Sequence, residues 1–467
     1  MPVLLTAVVV GWHVSRPQLW RDEYATWWAA TRSPAALDRL TEHIDGVLEP
    51  YYRLLHLWIA LFGDSVVSLR VPSVLAAVAT AGLVAVLGTL LAGRWAGLLA
   101  GLVYAVLPST IRYGQEARPY ALGEFAALAA TLLLFLALRR PRRRLWFAYA
   151  VALAVLGLLH LAMLLLFAGH LVAVLHHART TRSWRSLLGP GVAVLAAVSM
   201  LVPLMLRGYT QTGTQLGTFH RTTLYLVAEL PAGVCCGAVA AGALLVLAAA
   251  GALLGGGPGR VFGLLTLAPI AGLAVLGLFV PVFNHRYVLF VAPLACVLAG
   301  LALARLRLPL GLAVVVLLAL ITLPEQAEVR RSHEQTSAQL IDYRGAARVI
   351  AHDELPGDAI VYQRAGWQFV DIAMEYNLRH NTPRDILAAT SRTAVGSFWT
   401  PQVTSPAAAL AGVARVWEVV PDALSSHRPE VQLPPVRDAL ARAYRQTGRW
   451  RVSGITVLLF RRGSGSR

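Results

Sequence analysis

The chain has 467 residues, of which 57% are hydrophobic and only 14% are charged, and its mean hydropathy is +0.60. This balance is far more apolar than that of soluble domains, so it indicates an α-helical polytopic membrane protein. The formal charge of +17 comes from arginines in short loops between apolar runs. That distribution is typical of a membrane topology signal and disfavours nucleic-acid binding.

Apolar runs long enough to span a bilayer recur along the first 324 residues. They predict about eleven transmembrane helices, near residues 1–15, 66–92, 95–111, 117–138, 145–159, 161–177, 187–206, 233–255, 261–281, 287–304 and 308–324. The first run lacks a charged start and a cleavage site, so we interpret it as a membrane helix and not as a signal peptide. The run 145–175 is too long for one span and is divided at His160 into a helical hairpin.

Arginine is unevenly distributed over the connections between these runs. Alternate connections carry the arginines and no Asp or Glu: Arg94, Arg139, Arg140, Arg142, Arg143, Arg144, Arg179, Arg182, Arg185, Arg260, Arg305 and Arg307. By the positive-inside rule this face is cytoplasmic, which predicts a cytoplasmic N-terminus and an extracytoplasmic C-terminal region. Glu124, within the fourth span, is the one acidic residue that does not fall on the opposite side.

Two segments on the predicted outer side are long. The first external loop covers residues 15–65 and contains an amphipathic stretch, 51–62, that is predicted to lie along the interface. After the transmembrane domain, 1–324, the composition becomes that of a soluble protein. Helix-like and strand-like segments alternate there and predict a small extracytoplasmic α/β domain over 325–467, with helices near 337–352, 367–378 and 436–445 and strands AIVY, RVWEVV and ITVLLF.

Three motifs with polar groups stand next to the spans. LWRDEYATWW, with Asp22 and Glu23, follows the first run, and its alternative interpretation is an interfacial belt of tryptophans with solvated charges. The stretch PYYRLLHLWIALFGDSVVSLRVPS begins at Pro50, and YGQEARPYAL begins at Tyr113. Polar residues at or near membrane depth are functional candidates.

In this order the motifs resemble the GT-C superfamily of membrane glycosyltransferases, and above all the bacterial family-39-like enzymes related to protein O-mannosyltransferases and lipid A aminoarabinose transferases. The likeness extends over about residues 15–300. It implies the GT-C fold, a polyprenyl-phosphate sugar donor and Asp22 as the catalytic base, with Glu23 orienting Asp22 or the acceptor. Asp45 and Glu49 lie where relatives place a second acidic or polar cluster, and a solvated loop is the alternative for them.

An anionic polyprenyl-phosphate leaving group needs fixed positive charge near it. Arg118 and Arg286 lie outside the cytoplasmic arginine pattern, and arginine binds phosphate in a bidentate manner. We predict that both bind the donor phosphate together with Tyr120 and Tyr287. Candidate substrate-binding residues are Asp45, Glu49, Glu116, His160 and His285. A plain ion pair with Glu116 is the alternative for Arg118. His160 resembles a histidine of many relatives, and a structural, hydrogen-bonded role is its alternative.

No spacing of His, Asp or Glu is typical of a metal site, and no glycine-rich loop with lysine indicates nucleotide binding. No cofactor is therefore expected to be required, although Asp22 with Glu23 could hold a divalent metal. The sequence predicts a hexosyl- or pentosyltransferase of a bacterial plasma membrane that moves a mannose- or pentose-like sugar, with inversion, to a glycan, lipid or protein acceptor outside the cell. The alternative is a lipid or glycolipid transporter or flippase, which would place charges in the middle of its spans.

Overall fold

The structure, a computed structural model, describes residues 1–215, 220–334, 340–362, 364, 368–422 and 434–463. The chain divides into two compact units. Unit 1 contains Met1–Arg16 and Ile44–Arg331, and unit 2 contains Pro17–His43 and Ser332–Arg467. The sequence analysis assigned the residues 17–43 to a loop of the membrane domain, whereas the structure groups them with the C-terminal residues.

Helices make up nearly all of unit 1. They are α1 (Pro2–Gly11), α4 (Glu49–Phe62), α5 (Val66–Ala92), α6 (Arg94–Val106), α7 (Pro108–Gly114), α8 (Tyr120–Arg139), α9 (Arg143–Leu159), α10 (Leu166–Thr181), α11 (Leu188–Thr210), α12 (Thr212–Gln215), α13 (Leu224–Cys235), α14 (Ala238–Leu254), α15 (Gly256–Phe279), α16 (Val291–Leu303), α17 (Leu308–Ile321) and α18 (Leu323–Arg331). Short 3-10 helices cover Gly46–Leu48, Leu161–Leu165, Trp184–Leu187 and His285–Val288. Helices α2 and α3 belong to unit 2.

Each predicted apolar run contains a helix, which confirms a multi-pass membrane protein. Among the described residues, 5 helices are long and apolar enough to cross a membrane, or up to 8 if each bent pair is one span. The number of about eleven spans therefore stays a prediction. The predicted break at His160 is present, since α9 ends at Leu159 and a 3-10 helix begins at Leu161. The predicted amphipathic stretch forms α4.

A sharp bend of 93° separates α13 from α14. Cys236 ends α13 in the left-handed region, with φ of 56°. The carboxylate of Glu325 in α18 then accepts hydrogen bonds from the backbone N–H groups of Val239, at 2.8 Å, and Ala240, at 3.0 Å. A carboxylate at the N-terminus of a helix satisfies otherwise unpaired donors and interacts favourably with the helix dipole. Glu325 thus stabilises the bend.

A buried hydrogen-bond chain ties α8, α9 and α10 together. The hydroxyl of Tyr149 donates to Nδ1 of His170 at 2.8 Å, and Nε2 of His170 lies 3.0 Å from the hydroxyl oxygen of Thr131. Because the Thr131 hydroxyl already donates to the Ala127 carbonyl at 2.8 Å, it accepts from Nε2, which fixes the imidazole tautomer. The hydroxyl and imidazole groups of these three side chains therefore all have hydrogen-bond partners within the protein.

The substitution Thr131→Val should destabilise unit 1 by about 1–2 kcal/mol, because it leaves the Nε2–H group of His170 without its acceptor. Thermal unfolding in detergent micelles measures the effect. Thr131→Ser is the matched control, since it keeps the hydroxyl. Equal unfolding temperatures for the two variants would contradict this role of the hydrogen bond.

Unit 2 is an α/β domain. Its helices are α2 (Arg21–Ala30), α3 (Pro34–His43), α19 (Tyr343–Asp353), α20 (Val370–Leu378), α21 (Arg392–Val395), α22 (Pro406–Leu410) and α23 (Pro434–Ala443), and a 3-10 helix covers Arg379–Asn381. Its strands are β1 (Ala359–Tyr362), β2 (Arg384–Asp385), β3 (Arg415–Pro421), β4 (Tyr444–Val452) and β5 (Ile455–Arg462), which form one sheet in the order β2-β1-β3-β5-β4. The small C-terminal α/β fold is confirmed.

Strand pairing in the sheet is mixed. Strand β1 runs parallel to β2 and β3, whereas β5 runs antiparallel to β3 and β4. The three strands predicted from sequence correspond to β1, β3 and β5, and they are the most buried. Val361 and Val416 pack in one core cluster with Leu440 and Tyr444, so α23 and the start of β4 cover the sheet there. The predicted segment 337–352 overlaps α19, and residues 337–339 lie outside the described residues.

Helix α2 carries the motif LWRDEYATWW and packs within unit 2. The ring of Tyr24 lies 5.1 Å from that of Tyr343, and its hydroxyl accepts a hydrogen bond of 2.9 Å from the amide of Asn377. Trp27 contacts Tyr376 edge to face, with ring centroids 5.0 Å apart. These aromatic contacts bury the motif, which disfavours the alternative of an interfacial tryptophan belt.

Candidate functional site

In unit 1 two guanidinium groups converge on one tyrosine. The carbon Cζ of Arg118, between α7 and α8, lies 6.0 Å from the ring centroid of Tyr120, and Cζ of Arg286 lies 5.5 Å from the same centroid. Arg286 also donates from Nη1 to the Tyr120 hydroxyl at 3.3 Å. Arg286 is buried and Arg118 half-buried. The structure therefore brings together the two arginines that we predicted to contact phosphate, and we call them the arginine pair.

His160 lies against the same aromatic groups. Its ring is 5.6 Å from Tyr120 and 5.4 Å from Tyr287, by centroids. Burial, followed by the positive charges of Arg118 and Arg286, lowers the pKa of His160 to about 3. The imidazole is therefore neutral at physiological pH, and it can give or accept a hydrogen bond without adding charge.

The lowered pKa of His160 makes the stability of the folded protein depend on pH. The unfolded chain binds the histidine proton near the ordinary pKa of 6.5, whereas the folded chain does not, so the free energy of unfolding should fall as the pH drops from about 7 to 5. His160→Gln, which removes one such group, should make the unfolding temperature less dependent on pH. Thermal unfolding at a series of pH values measures this, and an unchanged slope in the variant would contradict a buried neutral His160.

His285 precedes Arg286 in the 3-10 helix and contacts α13. A Cβ on Gly233 would lie 2.8 Å from Cγ of His285, so only glycine fits under this ring. Burial, and then the charges of Arg286 and Arg112, lower the pKa of His285 to about 3. His285 thus packs the segment that holds Arg286 against α13, which supports a positioning role.

The loop that carries Arg118 is held by buried hydrogen bonds. The hydroxyl of Ser73 in α5 donates to the Glu116 carbonyl at 2.6 Å. The amide of Gln115 donates to the carbonyls of Val10, at 2.7 Å, and Trp12, at 2.9 Å, at the end of α1. These bonds fix the backbone on the N-terminal side of Arg118. Ser73 and Gln115 belong to the quoted motifs, but their spacing alone did not reveal this function.

The carboxylate of Glu116 takes part in an ion pair inside unit 1. It forms this buried pair with Arg112, with Nη1 and Oε2 2.6 Å apart. Arg112 lies one helical turn before Glu116 and directly precedes the YGQEARPYAL segment. The ion pair is therefore local to this part of the chain. Glu116 thus has a buried ion-pair partner in Arg112. The ion pair of Arg118 with Glu116 stays the alternative for Arg118.

Asp45 and Glu49 have different surroundings. Tyr52 donates to Oδ2 of Asp45 at 2.7 Å, and Tyr52 also forms a side-chain hydrogen bond with Arg118. Burial and the charge of Asp45 raise the pKa of this phenol. Asp45 thereby lies one tyrosine away from the arginine pair. Glu49 instead forms ion pairs with Arg207 and with Arg53, the latter at 2.8 Å.

The arginine pair and the arginine-rich connections lie at opposite ends of the same helices. Tyr120 begins α8, and Arg139 ends it about 30 Å away. His160 follows the last residue of α9, which begins at Arg143. Helix α16 likewise follows Arg286 and ends shortly before Arg305. The predicted separation of the two arginine populations is therefore consistent with the helix directions in unit 1.

Asp22 and Glu23 lie in the first turn of α2 in unit 2. The side chain of Asp22 is 25% exposed, and its Oδ1 lies 3.7 Å from Nε of Arg21. Glu23 is fully buried; its Oε2 accepts from the Trp20 backbone N–H at 3.3 Å and lies 3.7 Å from Nδ1 of His333. Of the two acids, Asp22 is the one with a side chain that reaches solvent. His333 was not among the residues predicted from the sequence.

Within the described residues, no group of three or more His, Cys, Asp or Glu side chains could hold a metal ion. Activity without a required metal stays a prediction.

Residues 51–206 match the model of the dolichyl-phosphate-mannose-protein mannosyltransferase family. Apo ArnT from Cupriavidus metallidurans is similar in structure, with a TM-score of 0.59 and 16% identity over 93% of this chain and 96% of that one. The chain has the GT-C fold. The fold agrees with the predicted GT-C fold, and the match over residues 51–206 supports the predicted relation to the O-mannosyltransferases.

A second structure of this GT-C protein, ArnT from Cupriavidus metallidurans bound to undecaprenyl phosphate, gives a TM-score of 0.55 and 16% identity over 88% of this chain and 87% of that one. A search of curated proteins found no match to the sequence. The matched family segment contains Arg118, Tyr120 and His160, whereas Asp22 and Arg286 lie outside it. Family likeness therefore bears on only part of the candidate site.

Proposed function

We propose that this chain is a glycosyltransferase that takes a sugar from a polyprenyl-phosphate donor. The observation that carries the proposal is the convergence of Arg118 and Arg286 on Tyr120, at the helix ends remote from the arginine-rich connections. A protein of the same fold has been crystallised with undecaprenyl phosphate, which supports a lipid-linked donor. The sugar is a hexose or a pentose.

The arginine pair suits the chemistry of the leaving group. As the bond between the anomeric carbon and the phosphate oxygen breaks, negative charge grows on the phosphate. Two guanidinium groups in a mostly buried site stabilise that charge more strongly than water-exposed groups do, and their forked N–H donors match phosphate oxygens. The neutral imidazole of His160 can add a hydrogen bond to the phosphate or to the sugar.

The family resemblance makes Asp22 the base in this proposal. The acceptor hydroxyl oxygen attacks the anomeric carbon, the polyprenyl phosphate leaves with the bonding electron pair, and the carboxylate takes the hydroxyl proton. One displacement of this kind inverts the anomeric configuration, because no covalent sugar intermediate forms. Asp22 suits the role because its side chain is partly exposed, whereas the Glu23 side chain is engaged inside unit 2.

The proposed orientation follows from the arginine-rich connections. They would face the cytoplasm, so the N-terminus would be cytoplasmic and transfer would take place on the outer side of a plasma membrane, to a glycan, lipid or protein acceptor. Cysteine accessibility labelling at exposed positions of the α8–α9 connection in intact cells tests the orientation. Labelling of that connection from outside would reverse the topology.

The activity is tested with purified protein in phospholipid vesicles. Each of a panel of polyprenyl-phosphate hexoses and pentoses is supplied, and released polyprenyl phosphate and transferred sugar are measured. We expect turnover with one class of donor, in an acceptor-dependent manner. Movement of a donor across the bilayer without release of polyprenyl phosphate would instead support the transporter or flippase.

A further inference from the structure

A dense group of exposed arginines lies at one edge of the sheet in unit 2. Strand β4 ends the strand order, so its outer side pairs with no other strand of the described sheet. It carries exposed arginines on both faces, and β5 and α23 add more next to it. We call this set the arginine edge: Arg442, Arg445, Arg449, Arg451, Arg461 and Arg462.

The positive charge of the arginine edge is poorly compensated. Arg451 lies 3.5 Å from Asp422, and the side chain of Arg442 donates to the Asp438 carbonyl. Among the residues that the structure describes, Arg445, Arg449 and Arg461 form no ion pair with a carboxylate. A surface with this excess attracts anions strongly at low salt and more weakly as salt screens it.

The strand register makes this arrangement unfavourable for stability. Arg445 is directly opposite Arg461, and Arg461 is directly opposite Arg415 on its other side. Like charges directly opposite one another destabilise a sheet. Arg415 is neutralised by Asp358, with Nε and Oδ1 3.3 Å apart, but the other two are exposed. A bound anion would relieve the repulsion between Arg445 and Arg461.

The shape of the arginine edge favours an extended ligand. Strand β4 has 9 residues and is thus about 30 Å long, with arginines along its length. Binding to a lipid surface usually combines basic residues with exposed apolar anchors. In the described part of unit 2 the exposed large apolar side chain is Leu355, in the turn before β1. The arrangement therefore fits a linear polyanion better than a bilayer.

We propose that the arginine edge binds a linear anionic glycan, a polymer with carboxylate or phosphodiester groups, and that this glycan is the acceptor. The second half rests on the proposed glycosyltransferase function. Binding through the edge holds the polymer on the protein while its terminal hydroxyl is used, which raises the effective concentration of that hydroxyl. The alternative is that these arginines bind no ligand and only prevent edge-to-edge aggregation of the sheet.

The test uses the full-length protein in nanodiscs of phosphatidylcholine, with a labelled oligogalacturonate of about 20 sugars as the anionic probe and neutral dextran of equal length as its control. Two double variants are compared, Arg445→Gln with Arg461→Gln and Arg449→Gln with Arg451→Gln. The matched control, Arg142→Gln with Arg143→Gln, removes the same charge from the exposed α8–α9 connection.

We expect the wild type to bind oligogalacturonate, but not dextran, with an affinity that falls as salt rises. Each double variant of the edge should bind about tenfold more weakly or worse, and the control variant should bind as the wild type does. Removing Arg445 and Arg461 should leave the unfolding temperature unchanged or higher, because their mutual repulsion is lost. A structural role for these arginines would lower it.

Several outcomes would overturn the proposal. They are equal binding of both polymers, unchanged affinity in the edge variants, and aggregation of those variants with affinity intact. Arginine-dependent binding to phosphatidylglycerol vesicles without binding to the glycan would assign the edge to the membrane instead. The Asp22→Asn variant should still bind oligogalacturonate. A wild-type protein that binds this glycan but transfers no sugar would count against the proposed transferase function and the acceptor assignment, whereas glycan binding by the arginine edge would stand.

Discussion

Arg286→Gln is expected to lower sugar release from the polyprenyl-phosphate donor by about 10²–10³-fold, the usual effect of losing one preorganised donor to developing negative charge. Arg286 is buried and holds the Tyr120 hydroxyl at 3.3 Å, so its guanidinium stands in a site where charge is weakly screened. Single-turnover release of polyprenyl phosphate in vesicles measures the rate, and competition by undecaprenyl phosphate measures affinity for the lipid phosphate.

Two further variants separate the effect of the positive charge at position 286 from the effect of the guanidinium geometry. Arg286→Lys keeps the charge but loses the forked donors, so it should recover only part of the rate. Arg53→Gln removes an exposed arginine that pairs with Glu49 in the same unit, and it should have nearly wild-type activity. A well-folded Arg286→Gln protein with wild-type rate and phosphate affinity would remove Arg286 from the donor site.

The arginine pair could be predicted from sequence because it breaks a simple rule. Arg118 and Arg286 depart from the positive-inside pattern of the arginine-rich connections. Other arginines of the membrane part, such as Arg70, Arg112 and Arg207, depart from it too, so the position of the pair at predicted helix ends beside tyrosines was also needed to select it. The helices were equally accessible, since an apolar run of the right length is a local property. Tyr52, which joins Asp45 to Arg118, was not predicted, because nothing in the sequence distinguishes it from its neighbour Tyr51.

The grouping of the first loop with the C-terminal domain could not be predicted in this way. Tyr24 contacts Tyr343 and Asn377, which are separated from it by most of the chain, and no local pattern encodes such a pairing. Strand β4 was missed for a different reason: its sequence, YRQTGRWRV, lacks the alternation of a half-buried strand. It is an edge strand whose exposed residues include three arginines, and edge strands often carry charge.

Asp22 and Glu23 are adjacent acids that the sequence does not distinguish, but they differ in burial. Both stand in the first turn of α2, where carboxylates interact favourably with the helix dipole. Glu23 accepts from the Trp20 backbone N–H and is fully buried near His333, which is the pattern of a residue that holds the start of a helix. Asp22 keeps an exposed fraction of 25%, and a base must reach its substrate.

Asp22→Asn should therefore reduce transfer by about 10²–10⁴-fold while leaving affinity for the donor lipid unchanged, because the amide has the size of the carboxylate but cannot take the proton of the acceptor hydroxyl. Glu23→Gln is the matched control. Glutamine keeps an oxygen acceptor for Trp20, so its effect should appear mainly as a lower unfolding temperature, with transfer within about tenfold of wild type.

The pair is informative because the two variants remove the same charge from adjacent residues of one helical turn. Rates and donor affinities are measured in the same vesicles, and the unfolding temperature in the same detergent. If Asp22→Asn transferred sugar as fast as wild type while Glu23→Gln lost activity without losing stability, the assignment would be reversed and Glu23 would be the base. If both kept full activity, proton transfer would have to involve a carboxylate elsewhere, and Asp45, which contacts Tyr52 beside Arg118, would be the next residue to replace.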